Sequence, residues 1–159
     1  MKIKYSIEKA QEKDVPSIFR ILKQVNMHHI PSKAMPRLTL ENYFVAKNKD
    51  EEVIGFSGYE ILSKHLANTE LMAVDEKYRG KSIGYLLQVR RMEDILSKGI
   101  SLLTTNTDLP ESIRWYKKHF GYKEVGQIKK KSKFSDPDID EWTTLEVNLN
   151  QWNKERTRK

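Results

Sequence analysis

The chain has 159 residues and no cysteine, with only 7 Gly and 5 Pro. Absence of cysteine excludes a disulfide scaffold, a Cys-ligated zinc site, an iron–sulfur cluster and a cysteine nucleophile. Long apolar runs are missing too: hydrophobic residues make up 38%, and mean hydropathy is -0.71. Nothing approaches the roughly 20 apolar residues of a membrane-spanning helix, so no membrane partner is expected. The opening Met1-Lys2-Ile3-Lys4-Tyr5-Ser6-Ile7-Glu8 lacks the apolar stretch of a signal peptide, and a cytoplasmic protein is the expectation. What is present argues for a folded domain. There are 3 Trp, 7 Tyr and 5 Phe, too many aromatics for disorder. The length suits one domain, and such a domain buries roughly 70% of its unfolded surface.

The net charge of +7 is local. Lys129, Lys130, Lys131 and Lys133, with the terminus Lys154-Glu155-Arg156-Thr157-Arg158-Lys159, hold the whole excess. A nucleic-acid face spreads basic residues and interleaves aromatics, so these clusters read as solvated charge. The four histidines, His28, His29, His65 and His119, have no metal-ligand spacing, and no metal is expected.

Ile3, Tyr5 and Ile7 alternate with polar residues, a half-buried strand. Asp14 reads as an N-cap and Pro16 as a first-turn residue for an amphipathic helix to about residue 26. A loop follows, with a short helix near Thr39 to Asn42. Strands over Tyr43 to Lys47 and Glu52 to Leu62 flank the turn Asn48-Lys49-Asp50-Glu51 as a hairpin. A strand at Thr69 to Val74 leads to a helix from Ile83, whose stripe is Tyr85, Val89, Met92 and Leu96, ended by Gly99. Ile100 to Thr104 is a strand, and Pro110 to His119 a helix closed by Gly121. Tyr122 to Ile128 and Trp142 to Val147 are the last strands. The order implies an α/β (α+β) fold: a mixed central sheet of six to seven strands, helices on both faces, and parallel strands at 69–74 and 100–104. Residues 1–150 form one domain in this reading, and 151–159 a basic C-terminal tail.

The stretch Met72-Ala73-Val74-Asp75-Glu76-Lys77-Tyr78-Arg79-Gly80-Lys81-Ser82-Ile83-Gly84 carries the chemistry. A strand ends, a short turn holds Arg, two Gly, Lys and Ser, and a helix begins. Unpaired amides and the helix dipole suit a phosphate there; a plain helix start with a solvated Lys fits the same residues. Gly80-Lys81-Ser82 mimics the end of a P-loop, but that motif needs Gly where Asp75 stands.

Arg79-x-x-Ser82-x-Gly84, after Met72-Ala73-Val74-Asp75, resembles the [QR]-x-x-G-x-[GA] motif of the GNAT superfamily of N-acetyltransferases, with Ser82 in place of the first Gly. Trp115-Tyr116-Lys117-Lys118-His119-Phe120-Gly121-Tyr122 resembles the family's aromatic-Tyr and Gly-Phe segment, with one extra residue between Tyr116 and Gly121. Element order agrees from Ile3 to Val147. The resemblance implies a GNAT-like sheet whose parallel strands splay to admit acetyl-CoA as cosubstrate. It places Met72, Ala73 and Val74 against the pantetheine arm, Arg79, Gly80, Lys81, Ser82, Ile83 and Gly84 at the pyrophosphate, and Asn106 and Tyr116 on the cofactor side.

The implied reaction is acetyl transfer to a primary amine by direct attack in a ternary complex, on a small-molecule or peptide acceptor. Tyr116 matches the family tyrosine that protonates the leaving thiolate; a core aromatic is the plain alternative. Glu70 is the candidate general base, with Glu60, His28, His29 or water as competitors. Asp136, Asp138, Asp140 and Glu141 read either as an acceptor-steering cluster or as surface acids balancing the lysines. Two other functions fit less of the chain: a non-catalytic acyl-CoA sensor of the same fold, and a nucleic-acid-associated protein using Lys129 to Lys133. A homodimer is compatible with the sequence.

Overall fold

The computed structural model describes residues 4–24, 38–129 and 139–158. His28, His29, Lys130, Lys131, Lys133, Asp136 and Asp138 lie outside the described residues. Seven strands form one mixed sheet in the order β1-β2-β3-β4-β5-β7-β6. They are β1 (Tyr5–Lys9), β2 (Tyr43–Asn48), β3 (Val53–Ile61), β4 (Leu66–Val74), β5 (Leu102–Thr107), β6 (Lys123–Lys129) and β7 (Glu141–Asn148). The helices are α1 (Val15–Lys23), α2 (Ile83–Ser97), α3 (Pro110–Phe120) and α4 (Leu149–Thr157), with short 3-10 turns at Glu12–Asp14, Leu40–Asn42 and Glu76–Tyr78. This is the expected mixed fold. The chain groups into two compact units, residues 1–60 with 70–94 and residues 61–69 with 95–159.

In the first unit, period-two alternation on β3 distributes the helices. Phe56 joins Ile18, Ile21 and Leu22 of α1 in a buried cluster with Tyr43, Val45 and Ala73. The opposite face receives α2. A Cβ on Gly55 would lie 3.1 Å from Leu87, Ser57 Oγ donates to the Leu87 carbonyl at 3.2 Å, and Tyr59 Oη donates to Asp94 at 2.6 Å. Gly55 thus lets α2 approach the strand, since any side chain there crowds Leu87.

In the second unit, β4 pairs parallel with β5 over Leu66–Leu102, Ala67–Leu103 and Asn68–Thr104. β7 lies antiparallel to β5, with Leu103 opposite Val147, and also to β6, with Gln127 opposite Thr143. Leu103, Leu145, Val147, Phe120 and Tyr122 are buried. Gly121 at φ 71 ends α3, as its place after the last periodic residue predicts.

Four expectations change. The segment read as a basic tail is helical: Asn148 accepts from the Gln151 amide at 3.0 Å as N-cap, while Leu149 and Trp152 are buried. The run of charges hides this i, i+3 apolar pair. Asp14 stands at the N-cap position of α1, as read, but its side chain makes no capping bond; its carboxylate turns back to accept from the Gln11 amide at 2.9 Å and to pair with buried Lys47 at 3.4 Å. The buried stripe of α2 is Ile83, Leu87, Gln88, Arg91, Met92 and Ile95. Hydrophobic spacing misses it because two of its members are polar, and Tyr85 is exposed instead. Finally, β4 begins at Leu66 rather than Thr69, and β5 at Leu102 rather than Ile100.

Candidate active site

Asp75 anchors the turn after β4. Its amide donates to the Ile54 carbonyl at 2.8 Å, and its carboxylate accepts from the Lys77 amide at 3.0 Å and Arg20 Nη1 at 2.8 Å. Burial pushes this carboxyl up, but Arg20 and the Lys77 amide outweigh it and the net shift is downward. Arg20 also donates to the Val53 carbonyl at 3.0 Å, so one side chain of α1 straps the turn to β3. A polar cavity of about 430 Å³ opens beside this strap, lined by Lys13, Ser17, Arg20, Lys47, Asp75 and Tyr78 among others. Arg20 and Lys47 there are already neutralised by Asp75, Glu8 and Asp14.

The turn itself is exposed from Arg79 to Ser82. Gly80 has φ 79 and Ser82 has φ 66. Ser82 therefore takes the left-handed conformation that favours glycine, at a cost of roughly 1–2 kcal/mol. The first intrahelical bond of α2 runs from the Leu86 amide to the Ser82 carbonyl at 3.1 Å. The amides of Ile83 and Gly84 precede it, in the first turn where a helix offers no acceptor of its own. A Cβ on Gly84 would meet only Val74 Cγ2, at 3.7 Å. Ala73 is buried, and Met72 and Val74 are partly so. The Val74 carbonyl accepts from Arg79 Nε at 3.2 Å, so Arg79 occupies one backbone group expected to serve the pantetheine arm.

Glu70 lies half-buried on β4. Burial, and then the negative charge of Glu60, push its carboxyl up to about 7, against the Tyr43 phenol, which pulls it down. Glu60, on β3, is exposed. Tyr43 is fully buried, stacked at 6.5 Å on Phe56, and its hydroxyl has no hydrogen-bond partner among the described residues. Burial raises its pKa well above the usual phenol value, with Glu70 contributing next. Gly58 makes room for it: a Cβ there would lie 2.2 Å from the Tyr43 ring. Arg91, fully buried, donates from Nη1 to the Gly58 carbonyl at 3.0 Å and from Nε to Gln88 at 2.6 Å.

In the second unit, Tyr116 is buried, its ring 5.0 Å from Trp115 and 5.0 Å from Tyr122. The Asn106 side-chain Oδ1 accepts from Thr144 Oγ1 at 2.6 Å. Lys129 is exposed on β6 opposite Glu141 of β7. Among the described residues no three of His, Asp and Glu gather as a metal site, and no helix is long and apolar enough to cross a membrane. The sequence reading missed Tyr43, Gly58, Arg91 and Arg20. Gly58 alone left a signal, as a glycine inside an apolar strand.

A family model for the acetyltransferase (GNAT) domain matches residues 39–124, more than half the chain. The protein belongs to the GNAT acetyltransferase family. This GNAT chain is similar in fold to Ard1 from Thermoplasma volcanium, with 21% identity, TM-score 0.73, and coverage of 91% of this chain and 97% of that one. It is similar to a GNAT family acetyltransferase from Elizabethkingia anophelis with acetyl-CoA bound, at 17% identity, TM-score 0.72, and 91% and 97% coverage. It is also similar to the ribosomal-protein-S18-alanine N-acetyltransferase from Escherichia coli, at 13% identity, TM-score 0.71, and 92% and 94% coverage. No curated protein sequence matches the chain.

Proposed function

We propose that this GNAT protein is an acetyl-CoA-dependent N-acetyltransferase that acetylates a primary amine by direct attack in a ternary complex. The observation that carries the reading is the turn from Arg79 to Gly84. Its positive φ at Gly80 and Ser82, and the amides ahead of the first bond of α2, suit a pyrophosphate. The absence of a Cβ at Gly84 leaves the approach to that backbone open. The parallel ladder between β4 and β5 runs over Leu66–Asn68 and Leu102–Thr104. The structural relative from Elizabethkingia anophelis holds acetyl-CoA.

Bound acetyl-CoA supplies the activated acetyl group, and the chain supplies position and proton transfer. Holding amine and thioester together makes attack effectively unimolecular. Glu70, with its carboxyl near pKa 7, is matched to take a proton from an ammonium at neutral pH. Tyr116 is the proposed donor to the leaving thiolate. Acetyl-CoA binding is read as a rise in melting temperature, since a ligand of the native state stabilises it by mass action. Gly84→Glu, which places a charged side chain at the pyrophosphate position, is expected to fold and to lose that rise. No shift for the wild type at millimolar acetyl-CoA, or a larger shift with ATP or NAD, overturns the reading.

A further inference from the structure

Glu60, Glu70 and Tyr43 grade from solvent to core: exposed, half-buried and fully buried. We propose that these three side chains form the acceptor subsite and select an amine cation with no carboxylate beside the reacting nitrogen. The inference rests on the acetyltransferase reading above and names its substrate class. Both carboxylates lack an ion-pair partner among the described residues, although Glu60 is near enough for its charge to act on Glu70. Two uncompensated carboxylates on neighbouring strands of a hairpin repel each other, and a bound cation relieves that repulsion.

Tyr43 is the independent observation. Its hydroxyl is fully buried with no well-formed hydrogen bond, near enough to the Glu70 carboxyl for each to shift the other's titration, on a ring that only glycine at position 58 accommodates. A phenylalanine would fill the same space without burying an orphan hydroxyl. The hydroxyl is placed to donate to Glu70 when that carboxylate is charged, which is the state that receives a proton.

The chemistry sets the selection. The acceptor arrives as an ammonium, and Glu70 takes one proton. The freed nitrogen lone pair forms the C–N bond to the acetyl carbon of acetyl-CoA. The C–S bond breaks as the nitrogen releases its second proton to solvent, and the thiolate leaves with a proton from the acid, which is reprotonated from solvent, giving the amide and free CoA. An α-amino acid would bring its own carboxylate against Glu60 and Glu70, and like charges there oppose binding. An alkyl amine, an amino-acid amide or a peptide N-terminus carries the same cation without that charge.

The test compares alanine, alaninamide, butylamine and an N-terminal-Ala tetrapeptide amide as acceptors, read by thiol release from acetyl-CoA. Carboxylate-free amines are expected to exceed alanine in kcat/KM by about ten-fold or more. The butylamine and peptide arms decide between a small amine and a chain terminus. Glu60→Gln is expected to raise the amine KM, leave the acetyl-CoA KM unchanged, and shift the acidic limb of the pH–rate profile downward, because Glu60 no longer raises Glu70. Glu60→Asp restores part of the amine affinity. Tyr43→Phe is expected to keep or raise the melting temperature while slowing turnover. Alanine equal to alaninamide, no acetylation of any carboxylate-free amine, or an unchanged amine KM in Glu60→Gln overturns this inference while acetyl-CoA binding stands. Loss of the acetyl-CoA thermal shift in the wild type overturns the enzyme reading itself.

Discussion

In the proposed reaction, Glu70 ties turnover and stability to pH in opposite directions. Its folded pKa near 7, against an ordinary 4.5, means the native state holds a proton that the unfolded chain releases earlier. Its stabilising contribution is full below about pH 4.5 and is lost as pH rises through about 7. The proposed activity needs the charged form, so rate rises over the window in which stability falls. Glu70→Gln is expected to flatten the melting temperature between these pH values, raise it above neutrality, and lower turnover by 10²-fold or more, roughly the contribution of a general base. For Tyr116→Phe we expect turnover to fall more than about ten-fold with acetyl-CoA affinity kept; an unchanged rate would leave Tyr116 as a core aromatic, consistent with its packing on Trp115 and Tyr122. Ser82→Gly removes a Cβ from a backbone at φ 66. Thermal unfolding should show it about 1 kcal/mol more stable, a rise of roughly 2–4 °C.

At the scale of elements, single small or polar residues decide how helices meet strands. On β3, Gly55 admits α2 and Gly58 admits the Tyr43 ring. Gly58→Ala has no free space, and urea denaturation is expected to show a loss of roughly 1–3 kcal/mol or more from overpacking. Combining it with Tyr43→Val should recover part of the loss, as for residues in direct contact. On α4, Leu149 and Trp152 are buried in a segment otherwise polar. The same assay on Trp152→Ala is expected to show a loss of about 3–5 kcal/mol; a loss near zero would mean the helix is a surface appendage. Strand and hairpin positions were legible from alternation and turn residues, as at Asn48 to Glu51. The polar buried positions Gln88, Arg91 and Lys47 were not, because periodicity counts apolar residues, and Arg91 and Lys47 are satisfied by partners distant in sequence, the Gly58 carbonyl and Glu8 with Asp14.

Over the whole molecule, the net charge of +7 favours association with a polyanionic ligand at low ionic strength. Acetyl-CoA affinity, measured by titration, should therefore weaken steadily as salt rises, since exposed charges such as Arg79 and Lys81 are screened beyond a Debye length of about 8 Å near 0.15 M. An affinity insensitive to salt would assign recognition to the backbone amides alone.

The sequence by itself determined the order of strands and helices as far as β7, the turn that carries Arg79 to Gly84, and the family to which these belong. Those are local properties, set by period, cap and turn chemistry over a few neighbouring residues. Tertiary structure alone decided that Tyr43 is buried beside Glu70, that Arg20 straps Asp75, and that Trp152 belongs to a helix packed out of solvent. Each depends on residues brought together across tens of positions, where burial changes the cost of a charge or a hydroxyl and no pattern along the chain records the encounter.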